Sequence, residues 1–257
     1  MPGHGFVRFN LHNSLCSFPA SLEVLKPLVD ISEEALWEYL LEIDRIQNER
    51  VVRLQAACAK EIERLKGKRV LFLGDSITND NLGYRVSVSR AAELESINGS
   101  ISGGTSSMLV PLAKHLIGKR PEIVSLMIGV NDSISLEKES FHQVSLEEYA
   151  RNVDAILGWA KQSGAKILLF EITPILEDRF EKCFANEKKL QSNAMIQRYN
   201  RILKQISEQH QVELLPHPWL SETTELDLLY ESDGIHLSVK GQERFAENWL
   251  TVATSIL

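Results

Sequence analysis

The chain has 257 residues, 44% of them apolar and 25% charged, and 28 Lys and Arg against 35 Asp and Glu leave a formal charge of −7. That length suits one α/β domain with an appendage rather than two large domains, and the apolar content excludes a disordered chain. No apolar run is long enough to span a bilayer, and the negative balance disfavours general affinity for nucleic-acid phosphates or anionic lipid while suiting a neutral small substrate.

Residues 1–30 read as irregular or short strand. Arg8 is the first fixed side-chain charge, and Asn10, Asn13, Ser14 and Pro19 interrupt any apolar signal-peptide core, which leads to the expectation of a cytoplasmic protein. Cys16, Cys58 and Cys183 are odd in number and dispersed, so reduced structural thiols are expected rather than a disulfide framework or a zinc site.

Over residues 31–66, Leu36, Leu40, Ile43, Ile46, Leu54, Cys58, Ile62 and Leu65 recur at helical spacing with charges between them. With no Gly or Pro before Gly67, the segment fits one helix of about 50 Å or two shorter ones. Residues 1–67 are therefore taken as an N-terminal extension and 68–257 as the main domain. The apolar stripe is expected to pack on that domain away from the active site, leaving surface for a possible homodimer, so that removing residues 1–66 would spare activity.

From residue 69 the sequence alternates short apolar runs at 69–73, 93–98, 123–128, 166–172 and 212–215 with helical patterns near 82–92, 106–118, 146–163, 188–209 and 239–255. This alternation marks βαβ units around a parallel sheet with helices on both faces: a three-layer α/β/α sandwich with five strands, binding ligands beyond their carboxyl ends. Ser145 and Glu148 form a capping box opening the third helix, and Gly164 stops it.

The first run ends in Gly74-Asp75-Ser76-Ile77-Thr78, which puts a serine on the turn leaving the sheet's reactive edge. A serine hydroxyl needs a base to take its proton, and His236 in Asp233-Gly234-Ile235-His236 has the best context, with Asp233 three residues earlier to orient the imidazole. Donors for a tetrahedral oxyanion are available in Ser102-Gly103-Gly104-Thr105, through backbone N–H groups, and in Gly129-Val130-Asn131-Asp132, through the Asn131 amide.

These blocks, in this order, resemble the SGNH hydrolase superfamily, also called GDSL esterases and lipases, over residues 68–257. The resemblance implies a flavodoxin-like fold, Ser76 as nucleophile and first oxyanion donor, and the N–H of Gly103 and the amide of Asn131 as the second and third. It also implies Asp233 and His236 as orienting acid and base. Gly104 departs from the family pattern, in which many members carry Asp.

Asp75 and Asp132 are expected to bond neighbouring backbone. His4, His12, His115, His142, His210 and His217 lack metal-ligand spacing and are expected at the surface or in packing. The glycine loop lacks the patterns of a nucleotide site. The reading is a serine hydrolase that cleaves carboxylic esters through an acyl-enzyme, with no metal or organic cofactor, on a small-molecule ester such as a short-chain or carbohydrate O-acetyl ester. Alternatives are O-acetyl transfer to a sugar, a lysophospholipase or thioesterase, and an inactive binding protein on the same fold.

Overall fold

The computed structural model describes residues 2–12, 14–15, 18–19, 21–29, 31–136, 141–221 and 225–257. Its N-terminal part holds helices α1 (Pro2–Asn10), α2 (Glu33–Ala57) and α3 (Ala59–Leu65). The main elements that follow are β1 (Arg69–Gly74), α4 (Tyr84–Ala91), β2 (Glu95–Ser100), α5 (Ser106–Ile117), β3 (Ile123–Met127), α6 (Leu146–Ser163), β4 (Lys166–Phe170), α7 (Asn193–His210), β5 (Leu214–Leu215) and α8 (Val239–Ser255).

The five strands pair in parallel in the order β2-β1-β3-β4-β5. Strand order reverses beside β1, and the crevice at such a switch point, outside the carboxyl ends of the strands, is where folds of this kind bind ligands. Alternation along β1 feeds two cores. Val70 and Phe72 pack with Ile62, Val88, Phe245 and Trp249 from α3, α4 and α8, whereas Leu71 and Leu73 pack with residues of α5, α6 and α7. The result is the α/β/α sandwich. Trp249 is fully buried, with its Nε1 donating to Ser125 Oγ at 3.0 Å, so the polar atom carried into the core is satisfied.

Local signals explain the element ends. Ser145 Oγ accepts from the Glu148 N–H at 3.2 Å to start α6, and Gly164 ends it in the left-handed region at φ +82°. Glu93 adopts φ +49° as the chain leaves α4, and β2 therefore starts at Glu95, two residues later than the apolar pattern indicates. Ser192 caps α7, which begins at Asn193 rather than 188. A helix at Glu177–Phe184 and a short antiparallel pairing of Ser135–Leu136 with Lys189–Leu190 have no counterpart in the sequence reading.

Of the two alternatives for residues 31–66, the structure has two helices, broken at Cys58 (φ −123°, ψ 35°). The buried stripe contains Leu36, Ile43, Leu54, Ile62 and Leu65 but also the polar Gln47 and Arg50. Gln47 Nε2 donates to Asn81 O at 2.8 Å, and Arg50 Nη1 donates to Leu82 O at 2.6 Å, so both side chains hold the loop that precedes α4. Burial without a carboxylate partner lowers the Arg50 pKa to about 10. Among residues 1–30 the reading of irregular chain or short strand is corrected at Pro2–Asn10, which is helical. Cys16 lies outside the described residues, as does the side chain of His4. No helix among the described residues is long and apolar enough to cross a membrane.

Candidate active site

β1 ends at Gly74, where an added Cβ would stand 2.7 Å from Met127 O and collide with Thr78 Oγ1, so the chain can leave the sheet sharply only with glycine there. Asp75 then caps the helical turn Ser76–Asn79, its Oδ1 accepting from the Ile77 N–H at 3.0 Å. Burial, opposed by that hydrogen bond and by nearby His236, raises the Asp75 pKa to about 7. Asp75 thus serves the turn, as expected. Ser76 is the first residue of the turn, a position whose N–H the helix itself does not use.

The loop before α8 brings the imidazole to this serine. His236 Nε2 lies 2.8 Å from Ser76 Oγ, and His236 Nδ1 lies 2.6 Å from Asp233 Oδ2. An ionised carboxylate only accepts, so Nδ1 carries the ring proton and Nε2 accepts from the serine hydroxyl. Gly234 makes the turn possible: it sits at φ +75°, and an added Cβ would come within 2.5 Å of Leu176 O. Asp233 Oδ1 accepts the N–H groups of Ile235 and His236, both at 3.0 Å, which fixes the carboxylate on its partner. Burial alone would raise the Asp233 pKa, yet the hydrogen bonds and charge of His236 and the two amides hold it below the usual carboxylate value.

The two other loops meet each other beside the serine's strand. After β2, Gly104 N donates to Ile101 O at 2.8 Å, closing a turn with Gly103 at φ +68°. After β3, Gly129 takes φ +130° under the Tyr149 hydroxyl, and Asn131 Nδ2 donates to Gly104 O at 3.0 Å. A primary amide has two N–H bonds, so this contact orients Asn131 while leaving its second donor for another acceptor. Asp132 accepts the Ser106 N–H at 3.0 Å and also the Ser106 hydroxyl, anchoring the start of α5, and burial raises its pKa to about 6. A Cβ at Gly104 would lie 2.7 Å from Ile101 O, so a larger residue does not fit this form of the loop.

His115, His142, His210 and His217 lie elsewhere. His142 Nδ1 pairs with Ser135 Oγ at 2.8 Å and His210 with Asp154 at 2.7 Å, His115 is exposed, and His217 is buried. Among the described residues no group of three His, Cys, Asp or Glu side chains is arranged to hold a metal ion.

Sequence reasoning missed a set of residues that close the site from the N-terminal side. Arg8 grips Asp80 with Nε and Nη2 at 2.8 and 2.7 Å and donates through Nη1 to Glu231 at 2.7 Å. Asp80 N donates to Ser76 O, and Glu231 N donates to His236 O, so Arg8 links the serine's turn to the histidine's loop. Phe9 places its ring 4.2 Å from that of His236, tilted by 31°. Asn79 donates to Phe9 O at 2.6 Å, Asn81 to Arg8 O at 2.7 Å and Asn98 to His12 O at 2.9 Å. The expectation of packing away from the active site concerned the apolar stripe of residues 31–66; it is residues 8–12 of the same extension, read only as irregular chain or short strand, that reach the site. The signals were the polar run Asn79-Asp80-Asn81 just past the serine and the isolated charge of Arg8.

The profile of the GDSL-like lipase/acylhydrolase family matches residues 72–244. The human isoamyl acetate-hydrolyzing esterase 1 homolog is 27% identical over 197 residues, covering 70% of this chain and 79% of that protein. Among solved structures, TesA superposes with a TM-score of 0.56 at 22% identity, covering 73% of this chain and 99% of the other. The acetyl xylan esterase AlAXEase gives 0.55 at 21% identity, covering 72% and 98%.

Proposed function

The chain belongs to the GDSL-like lipase/acylhydrolase family and is a carboxylic ester hydrolase of that type, and from that premise we propose that it works through an acyl-enzyme on Ser76. Ser76 Oγ bonds to the ester carbonyl carbon as its proton passes to His236 Nε2. Asp233 stabilises the imidazolium that forms. The oxyanion collects the N–H groups of Ser76 and Gly103 and the second N–H of Asn131. The C–O bond to the alcohol then breaks, and Nε2 returns the proton to the departing oxygen. Water, activated by the same histidine, attacks the acyl carbon, and Ser76 leaves with its hydrogen restored.

The observation that carries this reading is the continuous hydrogen-bonded chain from Ser76 Oγ through His236 to Asp233, at 2.8 and 2.6 Å. A short acyl group such as acetate is the proposed substrate class, supported by the acetate ester in the name of the human relative. The test is a panel of esters varied in acyl chain and alcohol, together with a fluorophosphonate that labels activated serines. Wild type should take the label at Ser76 and cleave acetates, and Ser76→Ala should do neither. Undiminished turnover by Ser76→Ala would refute the assignment.

A further inference from the structure

We propose that Phe9 is a specificity-determining residue that limits the size of the alcohol on the ester. The inference rests on the reading of Ser76 and His236 as nucleophile and base. When the acyl-enzyme forms, His236 Nε2 must deliver its proton to the departing oxygen, which has to come within about 2.6–3.2 Å of it. The group attached to that oxygen therefore passes beside the imidazole. Phe9 covers a face of this ring at 4.2 Å. Its position is not left to a flexible terminus. Asn79, three residues past the serine, holds the Phe9 carbonyl at 2.6 Å, and the Arg8 guanidinium, clamped by Asp80 and Glu231, lies 4.9 Å over the Phe9 ring. Burial alone would weaken the charge on Arg8, but those two carboxylates keep it firmly protonated.

A ring fixed in this way offers a small alkyl group an apolar wall and denies space to a long one. The acyl group is bonded to the carbonyl carbon on the side opposite the departing oxygen, so its length should be little affected by Phe9.

The test uses full-length protein with Phe9→Ala, Phe9→Leu and Phe9→Trp, each checked for a melting temperature near wild type. Two series are compared: straight-chain alkyl acetates from ethyl to octyl, and p-nitrophenyl esters from acetate to octanoate. Phe9→Ala should raise kcat/KM for octyl over ethyl acetate by roughly tenfold or more, with the acyl-length ratio shifting by less than about threefold, since apolar pockets discriminate on this scale per few methylenes. Phe9→Trp should lower the alcohol ratio, and Phe9→Leu should fall between wild type and Ala. Loss of kcat with both ratios fixed would reduce Phe9 to packing and overturn the proposal, as would a shift confined to the acyl series. A wild type that neither takes the fluorophosphonate nor cleaves any ester would bring down the hydrolase reading itself, a result distinct from an active enzyme indifferent to Phe9.

Discussion

The side-chain amide of Asn131 donates to the carbonyl of Gly104 at 3.0 Å, tying the loop after β3 to the loop after β2. One amide N–H is thus spent on orientation, and in the proposed mechanism the other meets the oxyanion without a further cost in side-chain entropy. Asn131→Ala should lower kcat by roughly 10²–10³-fold with little change in KM, as expected of a donor used mainly in the transition state. Steady-state kinetics on a small acetate ester decides this. A raised KM at constant kcat would make Asn131 a ground-state binding residue instead.

The Ser76 hydroxyl donates to His236 Nε2 at 2.8 Å, and the two residues should fail as a unit. Ser76→Ala and His236→Ala should each lose most of the activity, and the double variant should be hardly slower than either, since the second change removes a group with nothing left to act on. Additive losses would show that the two residues work independently.

The buried His217 gives the fold a sensitivity to acid away from the active site. Its Nε2 lies 2.8 Å from Glu171 O, and its ring packs on Phe170 and Phe245. Desolvation, only partly offset by that carbonyl, pushes its pKa down to about 4. In the unfolded chain the same ring takes up a proton near pH 6.5, so between pH 6.5 and about 4 the unfolded state binds more protons. Stability should therefore fall as pH drops through that window, by up to about 3 kcal/mol from this residue. Urea unfolding at pH 7 and pH 4.5 should show the loss in wild type and a shallower one in His217→Gln. Equal slopes in both proteins would place the acid sensitivity elsewhere.

Gly104 offers a check on the loop's shape. Because an added Cβ would stand 2.7 Å from Ile101 O and 2.8 Å from Ile101 Cβ, Gly104→Ala must shift the turn that carries Gly103. The carbonyl that positions Asn131 moves with it. A fall in kcat larger than the change in melting temperature accounts for is the expected result, and unaltered kinetics would mean that the loop adjusts without disturbing the donors.

The sheet and the residues at its reactive edge were legible because each follows from short-range rules. Apolar runs such as Ile167-Leu168-Leu169-Phe170 declare a strand covered on both faces, and a D-x-x-H spacing lets one turn of chain place Asp233 under His236. The N-terminal contribution obeys no such rule. Arg8 meets Glu231 across 223 residues of sequence, and no periodicity records that pairing. Gln47 and Arg50 occupy the buried stripe of α2 because the backbone of the loop before α4 needs donors, whereas a search for apolar spacing passes over them. The helix at Pro2–Asn10 was hidden for a similar reason: two glycines and a proline give it poor intrinsic propensity, and contacts to Asn79 and Asn81 supply what propensity does not.

Those contacts reverse the consequence first expected of shortening the chain. Asp80 is fully buried, with the Arg8 guanidinium as its bidentate partner. In Arg8→Met that carboxylate would keep the Leu82 N–H and the Gln242 amide but lose its counter-charge, at a cost of up to about 3–5 kcal/mol if the fold stayed closed, so the less costly response is for α1 to lift away and let water reach Asp80. Either response removes the link between the turn of Ser76 and the loop of His236. The variant should therefore show lower kcat and faster proteolytic clipping near residue 12, with a smaller loss in the melting of the α/β/α core. Adding Asp80→Asn should recover part of the loss in core stability, because a neutral amide tolerates the missing partner better than a carboxylate does, but should not restore kcat. Deletion of residues 1–12 should lower activity in the same manner. Wild-type kcat and KM in that deletion across a set of small esters would show that the segment is not needed to shape the site.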